Sequence, residues 1–266
     1  MLSTVFTKSL YDQWKALLWW ALAIVLLIAT YVAIWPSMRD QPSMADFLNQ
    51  MPEALRSLFA TTGADLTTPV GYIQVELMSF MAPIVLLLYA IGRGVSAVAG
   101  EEEAHTLELL LSTPLARARI IAEKFAAMTV GVAFLAAVTG FSLVLEGSLA
   151  DMNLPAQNVA AAMVHLGLLA LVFGTLALVL SASTGRTGLS RGIPAALAVA
   201  AYAVNGLAPL VDWLEPLQKY SPFFQYAGHD PLRNGIDMTD VLVAAATCLV
   251  LVALAAIGFR SRDTAA

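Results

Sequence analysis

The residues that could do chemistry are concentrated in one stretch, "GEEEAHTLELLLSTPLARAR" at 100–119, where three acids, a histidine, a threonine and a fourth acid crowd together in an otherwise apolar chain. Placed on a helix over 101–113 at about 100° per residue, Glu101, His105, Glu108 and Ser112 fall within about 60° of one another. Ala104, Leu107, Leu110 and Leu111 take most of the opposite arc. Glu103 leans toward the apolar side but lies in the first turn, where the helix dipole favours an anion. Pro114 ends the pattern, and Arg117 and Arg119 follow at headgroup level. The spacing therefore predicts a short amphipathic helix against a membrane face, its acidic stripe turned to water. Anionic lipid would repel such a stripe. Either it is simply solvated, or it docks a protein with a basic groove.

Other reactive side chains are sparse. ATP hydrolysis needs a phosphate-cradling loop of the form G-x-x-x-x-G-K-[ST]. None of Lys8, Lys15, Lys124 and Lys219 follows a glycine. "TGRTGLSRG" at 184–192 has the glycines but no lysine and reads as a turn. His105, His165 and His229 fall in an inner loop, an outer half-span and an outer loop, too dispersed to share a metal. The lone Cys248 has no disulfide partner and sits in an apolar run. Glu76, Glu146 and His165 fall toward the outer ends of apolar segments. They could form a polar vestibule, or pair locally and reach headgroups. None falls near a midplane, which argues against a proton relay.

These residues must be positioned by membrane-spanning helices. Apolar residues are 59% of the chain and charged residues 12%, with mean hydropathy +0.76; a soluble domain carries roughly 25% charged residues. Net charge is −5 and the basic residues are scattered, which excludes nucleic acid as a natural partner. Six segments are long and apolar enough to span, at 17–36, 71–99, 120–146, 157–181, 192–210 and 240–259. Continuous rather than alternating apolar runs make them helices. The fold class is all-α integral membrane, one transmembrane domain over 1–266. The first span is expected to be retained rather than cleaved as a signal peptide.

With the N-terminus inside, the inner segments hold Lys8, Lys15, Arg93, Arg117, Arg119, Lys124, Arg186, Arg191, Arg260 and Arg262, and the outer ones only Arg39, Arg56, Lys219 and Arg233. The asymmetry predicts both termini in the cytoplasm. Residues 4–16 read as an amphipathic interfacial helix, with Phe6, Leu10, Trp14 and Leu17 on one face and Lys8, Asp12 and Lys15 on another, lying on the inner leaflet before span 1. The alternative is a long first span with snorkelling lysines. "MADFLNQMPEALRSLF" within 37–70 has helical spacing, and 211–239, rich in proline and aromatics, reads as a re-entrant or capping segment. Small pairs such as Ala136 with Gly140 and Ala170 with Gly174 allow close helix approach, within the bundle or between copies. Pro83 and Pro194 can bend their spans.

"GEEEAHTLELLLSTPLAR" resembles the cytoplasmic signature of ABC-2-type transporter permeases, Gly-Glu-x-x-x-Gly-Thr-Leu-Glu-Leu-Leu-Leu-x-x-Pro, between the second and third of six spans. Gly100, Glu101, Thr106, Leu107, Glu108, Leu109, Leu110, Leu111 and Pro114 match, and His105 replaces the second glycine. The aromatic N-terminal helix, "SPFFQYAGHDPLRNGID" and the ending "FRSRD" follow in family order. The resemblance implies an exporter half in a prokaryotic plasma membrane, paired with a second copy or a homologous permease. It implies two cytoplasmic ABC ATPase subunits that hold ATP and Mg, no cofactor on this chain, and membrane lipid and an exported substrate as further partners. Glu101, His105, Thr106, Glu108 and Pro114 then belong to a coupling helix seated in the ATPase. A gradient-driven secondary carrier without an ATPase is the competing reading.

Overall fold

The computed structural model describes residues 4–39, 67–108 and 115–262. Six helices among them are long and apolar enough to cross a membrane, one for each expected segment: span 1 Val5–Arg39, span 2 Pro69–Ser96, span 3 Arg117–Leu149, span 4 Ala156–Thr184, span 5 Thr187–Leu210 and span 6 Met238–Ser261. No strand occurs among the described residues. The chain is a multi-pass, all-helical membrane protein. The helical stretch expected within 40–66 lies outside the described residues, as does Pro114.

Span 4 is the centre of the bundle and the most buried helix, packed against spans 2, 3, 5 and 6. Its small residues make this possible, because in lipid helices associate through close packing rather than hydrophobic burial. A Cβ on Gly94 of span 2 would lie 2.1 Å from the Gly174 carbonyl of span 4, and one on Gly174 would meet Ala90 at 2.9 Å. Gly140 of span 3 faces Met163, and Gly167 faces Ala136. The small residues singled out from spacing thus serve contacts inside the chain. Their outward neighbours are large and apolar: Trp19, Phe141, Val199 and Leu249 are each exposed, as lipid-facing side chains should be.

Two expectations are corrected. Residues 4–16 do not turn away from span 1: Val5–Arg39 is one unbroken helix of 35 residues, about 52 Å long against a hydrocarbon core of about 30 Å. Its inward stripe explains the continuity, since Val5, Ser9 and Gln13 are buried in register with Ile24, Ile28 and Val32. The Gln13 amide donates to the Ala127 carbonyl of span 3 (2.9 Å) and accepts from the Tyr89 hydroxyl of span 2 (3.1 Å). A polar side chain so placed makes the N-terminal turns part of the bundle. The second lies in the expected 101–113 helix, which is interrupted at His105.

Span 2 is not α-helical throughout. Between Pro69–Ile73 and Ala82–Ser96 it runs as a π-helix over Gln74–Met81. At this end of the bundle, segment 211–237 folds into three short helices, Glu215–Gln218, Pro222–Ala227 and Pro231–Asn234. Ser221 donates to Ala201 O and Asn158 to Leu232 O. Phe223, Tyr226 and Leu232 are buried, so the segment caps the bundle.

Candidate functional site

The connection between spans 2 and 3 emerges at the bundle end that also carries Val5 and Arg262. Its first element is the helix Ala99–Glu103. The expected continuous helix over 101–113 breaks at Ala104–His105. His105 N–H donates to Glu102 O (3.0 Å) and Thr106 N–H to Glu101 O (2.8 Å), with His105 at φ 55. This pair of reversed bonds around a left-handed residue is the Schellman ending of a helix, whose left-handed position is most often glycine. His105 holds this position here, where the signature that the stretch resembles has glycine. Leu107 and Glu108 are helical again, and the rest of the expected 101–113 helix lies outside the described residues.

The break changes what each acid does. Glu101 does not join a solvent-facing stripe. Its side chain is 12% exposed and accepts from the Lys124 ammonium of span 3 at 2.6 Å, with Lys8 of span 1 at 3.6 Å. The Thr106 hydroxyl completes its shell. Burial pushes the Glu101 carboxyl up. The hydrogen bonds from Lys124 and Thr106 and the two ammonium charges outweigh that, leaving it below the ordinary carboxylate range. Glu102 pairs with Arg262 after span 6. Ser181 of span 4 accepts from Ala99 N–H (2.8 Å) and donates to Val95 O (2.9 Å). Arg117 donates to Phe259 O and Arg262 O at 2.8 and 2.7 Å. A loop of a few residues is therefore fastened to spans 1, 3, 4 and 6. Glu103, His105 and Glu108 are left exposed.

At the other end, Glu76, Glu146 and His165, for which a shared vestibule and local pairing were both open, are not joined to one another by any hydrogen bond or ion pair. His165 is 2% exposed. Its Nε2 accepts from Asp237 N–H (3.2 Å), which fixes the proton on Nδ1 for donation to Gln225 O (2.9 Å). The ring is a clasp between span 4 and the cap. Glu76 is half-buried in the π-helix with Tyr31 and Tyr72 as electrostatic neighbours. Glu146 is half-buried, one carboxylate oxygen lacking a partner. His229, expected to stand apart from His165, reaches the same residue through the Asp237 carboxylate, 3.8 Å away. His105 lies at the opposite end, and no group of three or more His, Cys, Asp or Glu among the described residues is arranged to hold a metal.

Sequence reasoning missed Lys124, Ser181, Gln13 and Tyr226. Lys124 carried a signal, since it falls within the expected apolar segment 120–146, where a buried ammonium needs an anion. The model of the ABC-2 family transporter protein matches residues 3–264. Comparison with curated proteins returned no match. The match takes in all six spans and the clamped loop between the second and third, so the chain belongs to the ABC-2 transporter family and is the transmembrane component of an ABC transporter.

Proposed function

We propose that this chain is the membrane half of an ATP-driven exporter. It works as a pair with a second copy or a homologous permease and is driven by two separate ABC ATPase subunits that carry ATP and Mg. The observation that carries the reading is the fastening of the 99–108 element to four spans through Glu101, Glu102 and Ser181. A solvated loop needs no such anchoring. A loop that receives force does, because movement applied to its exposed side reaches the helices only through rigid contacts.

In this reading Glu101 and Thr106 hold the element in place, while His105 and Glu108, with Glu103, meet the ATPase. Pro114 is assigned to the same element. The fastened end faces the cytoplasm, as the lysine and arginine distribution favours, in a prokaryotic plasma membrane. Substrate moves outward along the interface between the paired permeases. Glu76 and Glu146 are assigned to the outer mouth of the path and His165 to the clasp of the cap.

The test is purification of the tagged chain in mild detergent, followed by the mass of whatever accompanies it. The expected result is an ATP-hydrolysing subunit at one copy per permease. A chain that purifies alone and transports under an ion gradient would make it a secondary carrier. Export unchanged by Glu76→Gln with Glu146→Gln would remove both residues from the path.

A further inference from the structure

The π-helix in span 2 leaves a specific backbone group without its normal donor. At the junction with Ala82–Ser96, Ala82 N–H donates to Leu77 O, five residues back. The N–H that could serve the next carbonyl, Met78 O, in the same pattern belongs to residue 83. Residue 83 is proline and has none. An unpaired carbonyl inside a membrane costs free energy. Here the cap supplies the missing donor: Tyr226, buried in the short helix Pro222–Ala227, donates its hydroxyl to Met78 O at 2.7 Å. Its hydroxyl also lies 3.6 Å from the Met78 thioether sulfur.

The burial pattern follows the five-residue spacing. Tyr72, Leu77 and Ala82 are buried, as are Ile73, Met78 and Pro83. Beyond Ala82 the step shortens to four, through Leu86, Ala90 and Gly94. The sequence is thus fitted to a π register before Pro83 and an α register after it. A π turn holds one more residue than an α turn, so exchanging the two turns everything N-terminal to the junction by about 100°. Val75, Glu76 and Leu77 lie on the moving side. Phe80, at the junction, contacts Tyr202 and lines with it a groove of about 330 Å³ closed by Phe223 of the cap.

We propose that Tyr226 is a positioning residue for span 2: its hydroxyl stands in for the N–H that Pro83 lacks and holds the outer half of the span in π register. Losing that bond frees Ala82 N–H to turn to Met78 O, an ordinary α-type bond, and the outer half rotates. The cap and the span therefore change state together. The inference concerns the isolated permease and does not depend on an ATPase partner or a direction of transport.

The experiment is a double-mutant cycle with a labelling scan, on the full chain in detergent. Tyr226→Phe keeps the ring and removes the donor; Pro83→Ala restores an N–H. Tyr226→Phe is expected to lower Tm by about 2–4 °C, and the loss should shrink to less than half in the Pro83→Ala background. Single cysteines at 75 to 79, with Cys248 replaced by alanine, are labelled with a membrane-permeant thiol reagent. Their reactivity pattern should move by one position in Tyr226→Phe. An equal Tm loss in both backgrounds, or a pattern unmoved by Tyr226→Phe, overturns the proposal. If Tyr226→Phe fails to fold, folding of the double variant supports it, and failure of both overturns it.

Discussion

Glu101 and Lys124 form a buried ion pair whose value lies in what its loss leaves behind. Removing one member of such a pair strands the other charge away from water, at a cost of about 3–5 kcal/mol. Lys124 has only 6% of its side chain exposed. Glu101→Gln should therefore lower thermal stability in detergent by several degrees, and adding Lys124→Met should recover most of the loss. The depressed Glu101 carboxyl adds a pH signature. Because its folded-state pKa lies below the unfolded one, its stabilisation is complete above the ordinary carboxylate value of about 4.3 and fades as pH falls through the lowered folded value. Melting followed down to about pH 4 and below should show that fall in the wild-type chain and a flatter profile in Glu101→Gln. His105 offers the opposite sign. Holding an L-residue in the left-handed region costs about 1–2 kcal/mol, partly offset by the extra unfolded-state freedom of glycine. His105→Gly should raise stability by about 1 kcal/mol; an unchanged or lowered Tm would mean the imidazole makes up for its backbone.

At the scale of elements, close approach of spans 2 and 4 decides which glycines can be replaced. Gly94→Ala would press a methyl to within 2.1 Å of a backbone carbonyl that cannot swing away. The helices must separate, and overpacking of this kind costs about 1–3 kcal/mol. Gly192, within span 5, has no neighbour within 4 Å of its would-be Cβ, so Gly192→Ala should gain about 0.5–1 kcal/mol from helix propensity alone. Opposite shifts in melting for the two variants are the check. The spans themselves were legible, because an apolar run of about 20 residues with few charges has few other meanings. The end of the 101–103 turn was not. Helical periodicity carried the pattern smoothly through 104–105, and His105 hides the glycine that would have marked the break. The π-helix was written in the five-residue spacing of Tyr72, Leu77 and Ala82, but apolar residues lie all around that stretch, so sequence alone could not say which were buried. Lys8, Lys124 and Arg262 come to the loop from distant parts of the chain, and spacing along a sequence does not report such meetings.

Across the whole molecule, the two ends are built for different tasks, and the acids at one end separate anchoring from docking. Glu101 and Glu108 both match the family signature, yet one is clamped between Lys8 and Lys124 while the other is exposed. If force enters through the exposed side, the two should fail differently. Glu108→Arg puts a cation where a basic groove must seat, and like-charge juxtaposition at an interface costs several kcal/mol. That corresponds to a fall in affinity of a hundredfold or more. The permease should still fold and melt as before, while the ATPase no longer purifies with it. Glu101→Gln should do the reverse: a less stable permease that still brings the ATPase down, with hydrolysis persisting and transport weakened because the seated element no longer moves spans 1 and 3. Size-exclusion profile, Tm and co-purified ATPase activity distinguish these outcomes in one set of preparations. Stoichiometric ATPase on Glu108→Arg would place the dock elsewhere on the exposed surface. Loss of the ATPase from a folded Glu101→Gln chain would mean that the anchored acid shapes the dock itself, so that anchoring and docking form one unit.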